Sequence, residues 1–188
     1  MTKRASFGGK LLIAMPTIRG DDFERSVVYL CTHSEQGAMG LVINKPAPRM
    51  IFADLAEKLM IDQTSEEILQ LPVMLGGPVT QFQGFVLHGV DYHAPETLKV
   101  DGHFALTATI DVIKAIAGGK GPRQKLLALG YSGWSPGQLE DEFSRNCWLH
   151  CDADAELVFN SPRSLLHEAA LKKLGVTSAM LSSEAGRA

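Results

Sequence analysis

The run Gly130-Tyr131-Ser132-Gly133-Trp134-Ser135-Pro136-Gly137-Gln138-Leu139-Glu140 constrains this chain more than any other stretch. Leu126 to Tyr131, leading into it, is a short apolar segment of the kind that forms a buried strand. Ser135 then has the side chain of an N-cap, Pro136 suits the first helical position, and Gln138 completes a capping box three residues on. Glu140, Asp141 and Glu142 favour the positive end of the helix that follows, and Arg145 its negative end. The sequence therefore predicts a strand, a tight turn and a capped helix in immediate succession. It also places one edge of a functional site there.

The remaining chain supplies strands and helices in mixed order. Leu11 to Met15 and Ser26 to Thr32 are continuous apolar runs, read as strands, with the polar loop Thr17 to Asp22 between them. Ala38 to Ile43 reads as a strand forming a hairpin with Ser26 to Thr32 and ending at Asn44-Lys45-Pro46. Ile51, Leu55 and Leu59 share one face of a helix over Ile51 to Met60. Ser65 to Leu69 is one helical turn. Val73 to Leu75 and Gly84 to His88 read as strands flanking the loop Gly76 to Gln81. Asp101-Gly102 reads as a two-residue hairpin turn between Thr97 to Val100 and His103 to Thr107. A helix over Thr109 to Ala117 ends at Gly118-Gly119. Cys147 to Cys151 and Glu156 to Phe159 read as strands, and Ser161-Pro162 opens a last helix running to Gly175. Thr177 to Ala188 reads as a disordered tail.

A chain of 188 residues with 45% hydrophobic residues can bury one sizeable core, and no linker marks a second domain. A formal charge of −3 with scattered basic residues gives no general attraction to phosphate, so direct DNA binding is not expected. Three cysteines without tight spacing fit a reducing cytoplasm rather than a disulfide framework. Leu11 to Met15, although preceded by Lys3 and Arg4, is shorter than the roughly 7–15 residues of a secretory apolar region and is broken by Pro16. No segment approaches the ~20 apolar residues of a membrane span.

The chemical signals favour binding over catalysis. Gly130-Tyr131-Ser132-Gly133 resembles a nucleophile elbow, but Trp134 stands where the last glycine should be, so Ser132 is read as a small residue beside a turn. Cys147, His150 and Cys151 would not face one ion from a strand, and the histidines are dispersed, so neither a metal nor a cofactor is expected. Gly76-Gly77-Pro78 lacks the lysine and spacing of a nucleotide loop. Three polar loops at strand ends nevertheless stand out: Asn44-Lys45-Pro46, Gly76-Gly77-Pro78 and Tyr131 to Gln138. Rigid sheets commonly present sites on such loops, and the same loops also serve as demanding turns around a core. The candidate ligand-binding residues are Asn44, Lys45, Gly76, Gly77, Tyr131, Ser132, Gly133, Trp134 and Gln138. The Trp134 indole is expected to line a pocket beside Asn44 and Gly76-Gly77.

These motifs also carry a family resemblance. The central run, Ala38 to Pro46, Gly76-Gly77-Pro78-Val79, Leu11 to Pro16 and Phe23-x-x-Ser26-Val27-Val28 together resemble the YqgE/AlgH family of bacterial proteins, over nearly the whole chain. His167 departs from it, standing in the last helix where the family often has tryptophan. The resemblance implies one α+β domain over residues 1–176, with a mixed, partly closed, barrel-like sheet and flanking helices, and a link to transcriptional regulation. The reading reached is a cytoplasmic regulatory protein that binds a small ligand or a protein partner. A DNA-acting transcriptional regulator and a Ser132 hydrolase are the alternatives.

Overall fold

The computed structural model describes residues 6–61 and 64–184. Its strands are β1 (Lys10–Ala14), β2 (Val27–Ser34), β3 (Gly37–Val42), β4 (Pro46–Ile51), β5 (Pro72–Leu75), β6 (Val79–Gly89), β7 (Leu98–Lys99), β8 (Phe104–Thr107), β9 (Lys125–Trp134) and β10 (Trp148–Asp152). The helices are α1 (Phe52–Lys58), α2 (Glu66–Leu69), α3 (Ile110–Ala117), α4 (Gln138–Ser144), α5 (Leu166–Lys173) and α6 (Ser178–Glu184). The strands form one strongly curled half-barrel sheet in the order β10-β1-β2-β3-β9-β6-β8-β7, with β4 and β5 branching off β9. All pairings are antiparallel except β5 with β9, which makes the sheet mixed. The architecture is the single α+β domain that the sequence implied.

Both faces of the sheet are covered, which explains why its central strands read as unbroken apolar runs. Side chains alternate across a strand. Leu11, Ile13, Val27 and Tyr29 therefore enter a core that includes Leu166, Ala170 and Leu171 of α5, whereas Leu12, Ala14, Val28 and Leu30 enter one holding Leu139 of α4, Trp134 and Trp148. A third cluster packs Phe52 and Ala56 of α1 and Val112 and Ile116 of α3 on β5, β6 and β9.

Strand β9 is the hub. Leu127–Leu129 pair with β5 on one side while Lys125–Leu129 pair with β6 on the other, and Ser132–Trp134 then pair with β3. The change of neighbour occurs at Gly130, whose φ of +70° favours glycine. Here the chain leaving β5 passes against β9 backbone to backbone. A Cβ on Gly76 would lie 2.3 Å from the Gly130 carbonyl oxygen, and one on Gly77 would lie 2.3 Å from Tyr131 main-chain atoms. The crossing is fastened by Gly76 N donating to Leu129 O and Val42 N donating to Gly76 O, each at 2.8 Å.

Several local expectations give way to the structure. Ser135 does not cap α4: Gly137, at φ +79°, holds the N-cap position, and Pro136 lies in the preceding turn. Only half of the capping box survives, with the Gln138 side chain accepting from Ser135 N at 2.9 Å. Glu156–Asn160 is a π-helical turn, not a strand, and buries Leu157 and Val158. Pro162, not Ser161, precedes the 3₁₀ turn Arg163–Leu165 that leads into α5, and Ser161 Oγ meets Glu156 O at 3.5 Å. Pro46–Ile51 is a strand, and β6 begins five residues before Gly84. The Asp101 turn is wider than two residues, with Asp101 Oδ1 accepting from both His103 N and Phe104 N. In the segment read as a tail, Ser178–Glu184 is helical and Leu181 packs on the core, while residues 185–188 lie outside the described residues.

The two kinds of glycine predict a sharp contrast. Gly77→Ala drives a Cβ into fixed backbone and should cost about 3 kcal/mol. Gly137→Ala meets open space and bears only the left-handed strain of about 1–2 kcal/mol. Urea denaturation followed by far-UV circular dichroism measures both.

Candidate functional site

Lys45 and Gly77-Pro78, from two of the polar loops, meet at one concavity, whereas Trp134 and Gln138 of the third lie against Glu142. Asn44 is a strut between strand ends: its Oδ1 accepts from Val27 N at 2.8 Å and its Nδ2 donates to Arg25 O at 2.9 Å. Arg25 needs this support because it holds a φ of +54°, rare for a residue with a Cβ. Lys45, the next residue, reaches the Asp22 carbonyl with its ammonium group. Burial pushes the Lys45 pKa down, opposed by the nearby Asp22, Asp21 and Glu24 carboxylates. Beside it lies a cavity of about 200 Å³ whose walls include Lys45, Asp21, Asp22, Phe23, Gly77 and Gln81. Of the nine candidate residues, Lys45 and Gly77 line this cavity.

The others are placed as follows. Gly76 belongs to the backbone crossing, and Gly133 pairs opposite Met39 of β3. Ser132 is fully buried, and its hydroxyl donates to Gly76 O at 3.1 Å, which leaves a nucleophile no access to substrate. Tyr131 packs edge-on against Phe85, with ring centroids 5.9 Å apart. Trp134 is 6% exposed and belongs to the core face under α4. It is not a wall of the cavity; Phe23, whose ring centroid is 6.2 Å from that of Trp134, stands there instead.

The Trp134 indole has a different partner. Its N–H donates to Glu142 Oε2 at 2.8 Å, and Trp148 donates to the same oxygen at 2.7 Å. Gln138 Nε2 donates to Glu142 Oε1 at 2.9 Å. One carboxylate on α4 thus satisfies the N–H donors of two buried indoles, which would otherwise be costly to bury. Gln138 acts in the seating of this helix and not at the cavity.

Asp21, Asp22, Phe23 and Gln81 were not singled out as site residues from the sequence. The available signals were the polar loop and the Phe23 motif, but nothing in either shows that the loop folds back over Lys45. Among the described residues, no group of three or more His, Cys, Asp or Glu is arranged to hold a metal ion. Cys31 and Cys151 are buried, and burial pushes the Cys31 thiol up to about 12. His88 is enclosed, with Nδ1 2.7 Å from Gly89 O and Nε2 2.8 Å from Thr107 Oγ1. Among the described residues no helix is long and apolar enough to cross a membrane.

The fold and the loop-bound cavity define a single-domain α+β protein with a curled half-barrel sheet. By sequence the chain belongs to the AlgH-like family, whose pattern matches residues 11–179. It is 50% identical to a UPF0301 protein of Bradyrhizobium diazoefficiens, over 96% of this chain and 87% of that protein. A UPF0301 protein of Methylobacterium sp. (strain 4-46) is 47% identical over 96% of this chain and 89% of its own. The solution structure of the AlgH protein from Pseudomonas aeruginosa is 39% identical and superposes with a TM-score of 0.80, covering 100% of this chain and 99% of that one. A crystal structure from Corynebacterium diphtheriae, 17% identical, shares the fold with a TM-score of 0.74, covering 97% of this chain and 94% of that one.

Three substitutions test the seating of α4. Glu142→Leu strands two indole donors and should cost about 2 kcal/mol or more, and Trp134→Ala about 3–5 kcal/mol. Ser135→Ala, which removes no cap, should stay within about 0.5 kcal/mol. Denaturant titrations rank the three.

The buried histidines set a pH response. Burial lowers the pKa of His88 and of His167 below the usual imidazole value. The unfolded chain binds these protons near pH 6.5 while the folded chain does not, so stability falls as pH drops from about 7 through 6.5, until the folded groups titrate as well. The depressed carboxylates Asp152, Asp154 and Glu168 add their loss only at lower pH, around and below about 4. Melting curves between pH 7.5 and 5.5 should show the fall, and His88→Gln, which does not titrate, should reduce it to the share that His167 contributes.

Proposed function

We propose that this protein acts by binding, in a cytoplasmic regulatory role, and that the cavity beside Lys45 receives a small polar ligand. The observation that carries the reading is the meeting of a half-buried lysine, two aspartates and the Gly77-Pro78 turn at one concavity, on loops held by a rigid sheet. Lys45 offers an ammonium group to an anion, and Asp21 and Asp22 offer carboxylates to a cation. Phe23 and Val42 supply apolar wall between them. This chemistry suits a zwitterion of amino-acid size. Catalysis has no support in Ser132, whose hydroxyl is committed to the Gly76 carbonyl. Direct contact with duplex DNA finds little support in a chain of net charge −3 with dispersed basic residues, so a role in transcription would run through a partner.

A thermal-shift screen of free amino acids, followed by calorimetry, tests the reading. Ligand at a hundredfold excess over Kd should add about 2.7 kcal/mol to stability. Lys45→Met should fold normally and lose the effect. Failure of every amino acid to shift the melting temperature, or an undiminished shift in Lys45→Met, would refute the assignment.

A further inference from the structure

A cavity of about 280 Å³ lies where α1 and α3 meet the face of the sheet formed by β6 and β9. Its walls are aliphatic: Leu55 and Leu59 of α1, Val112 and Ile113 of α3, Val86 of β6 and Leu129 of β9. The space exists because one side chain is missing. Gly84 lines the cavity between Phe82 and Val86, and residues two apart on a strand share a face. A Cβ on Gly84 would meet no atom within 4 Å, and Gly84 is not among the residues of positive φ, so the backbone does not require glycine there. Unlike the close approach at Gly76, this glycine leaves an empty slot in a row of side chains.

The surroundings define the occupant. The two threonine hydroxyls of the lining are closed to it: Thr107 Oγ1 lies 2.8 Å from both His88 Nε2 and Thr97 Oγ1, and Thr109 Oγ1 is buried. Two further lining residues stand in water, Phe82 at 89% exposure and Ile110 at 54%. The register of β6 with β9 breaks between Val79 and Gly84, which leaves Phe82 outside the ladder. Exposed apolar side chains around an apolar hollow mark a surface that something covers. Among the described residues Lys58 is the one charged member of the lining, and its ammonium makes no hydrogen bond or ion pair there. An apolar cavity of about 150 Å³ holds a benzene ring, so this one has room for an aliphatic chain of about eight to ten carbons.

We propose that this cavity binds a medium-chain aliphatic carboxylate, whose chain fills the slot over Gly84 and whose head group stays at the wet mouth. Burial of the chain supplies the affinity. Lys58, a point charge on a flexible four-carbon stem, selects a negative head group over a positive one. The site shares no lining residue with the Lys45 cavity and does not depend on that reading.

The test is titration of the full chain with hexanoate, octanoate and decanoate, read by calorimetry, with the methyl resonances of Val112 and Ile113 reporting the place of binding. Affinity should rise about fourfold per added methylene up to decanoate and stop rising at dodecanoate, which outgrows the cavity. Decylamine should bind about tenfold more weakly than decanoate, and Lys58→Glu, at an exposed position, should reverse that order. Gly84→Leu, whose side chain enters the empty slot, should melt no lower than the unaltered chain and lose decanoate. Lys45→Met should change none of these affinities. No binding of decanoate at millimolar concentration, affinity indifferent to chain length, decylamine as tight as decanoate, an order unchanged in Lys58→Glu, or undiminished binding in Gly84→Leu would each overturn the proposal. So would capture by anionic phospholipid vesicles without uptake of monomeric decanoate, which would make the patch a membrane contact instead.

Discussion

The structure depends on one place where backbone meets backbone without side chains between. Strand β9 must pair with β5 and β6 along its first half and with β3 along its second, and the chain leaving β5 must cross it at the changeover. The crossing is possible because Gly76, Gly77 and Gly130 have no Cβ to place where main-chain atoms already lie. Ser132 completes it by giving its hydroxyl to the Gly76 carbonyl. The density of glycine in these loops is thus first a consequence of sheet branching. A branched sheet also leaves strand ends diverging, and the space beside Lys45 opens at that divergence.

The loop between β1 and β2 turns this geometry into chemistry. It lies between two concavities, giving Asp21, Asp22 and Phe23 to one and Arg19 and Arg25 to the other. Asn44 and Lys45, adjacent in sequence, serve opposite sides: the amide secures Arg25 and the ammonium reaches Asp22.

Much of the fold was legible because it rests on patterns that survive tertiary context. The apolar runs of β1, β2 and β3 and the Val112, Ile113, Ile116 spacing of α3 all mark real elements, with Gly118 as the C-cap of α3. What was not legible has physical reasons. Leu157-Val158-Phe159 is too short for periodicity to separate a strand from a helical turn. Pro46 and Pro48 disguise β4, although proline is tolerated where a strand pairs on one side only, as β4 does with β5. Ser135 has the side chain of a cap, but the Pro136-Gly137 turn carries the chain past it before α4 begins. Of the candidate site, the places of Lys45 and Gly77 at strand ends were legible, whereas the folding of Asp22 over Lys45 is a long-range fact. Trp134 was misplaced because an aromatic beside a glycine turn gives no sign of which way it faces.

Glu142 has one further consequence. The chain has two tryptophans, their ring centroids lie 6.0 Å apart, and both indoles share one carboxylate oxygen. At that separation excitation passes between the rings, so intrinsic fluorescence has in effect a single emitter, seated where α4 meets β1–β3. An emission change reports the departure of this helix from the sheet and is blind to the α1 and α3 layer on β6. Coincidence of the fluorescence and far-UV dichroism transitions would therefore measure how tightly the two layers are coupled in unfolding, and a gap between them would show that the layers come apart one at a time.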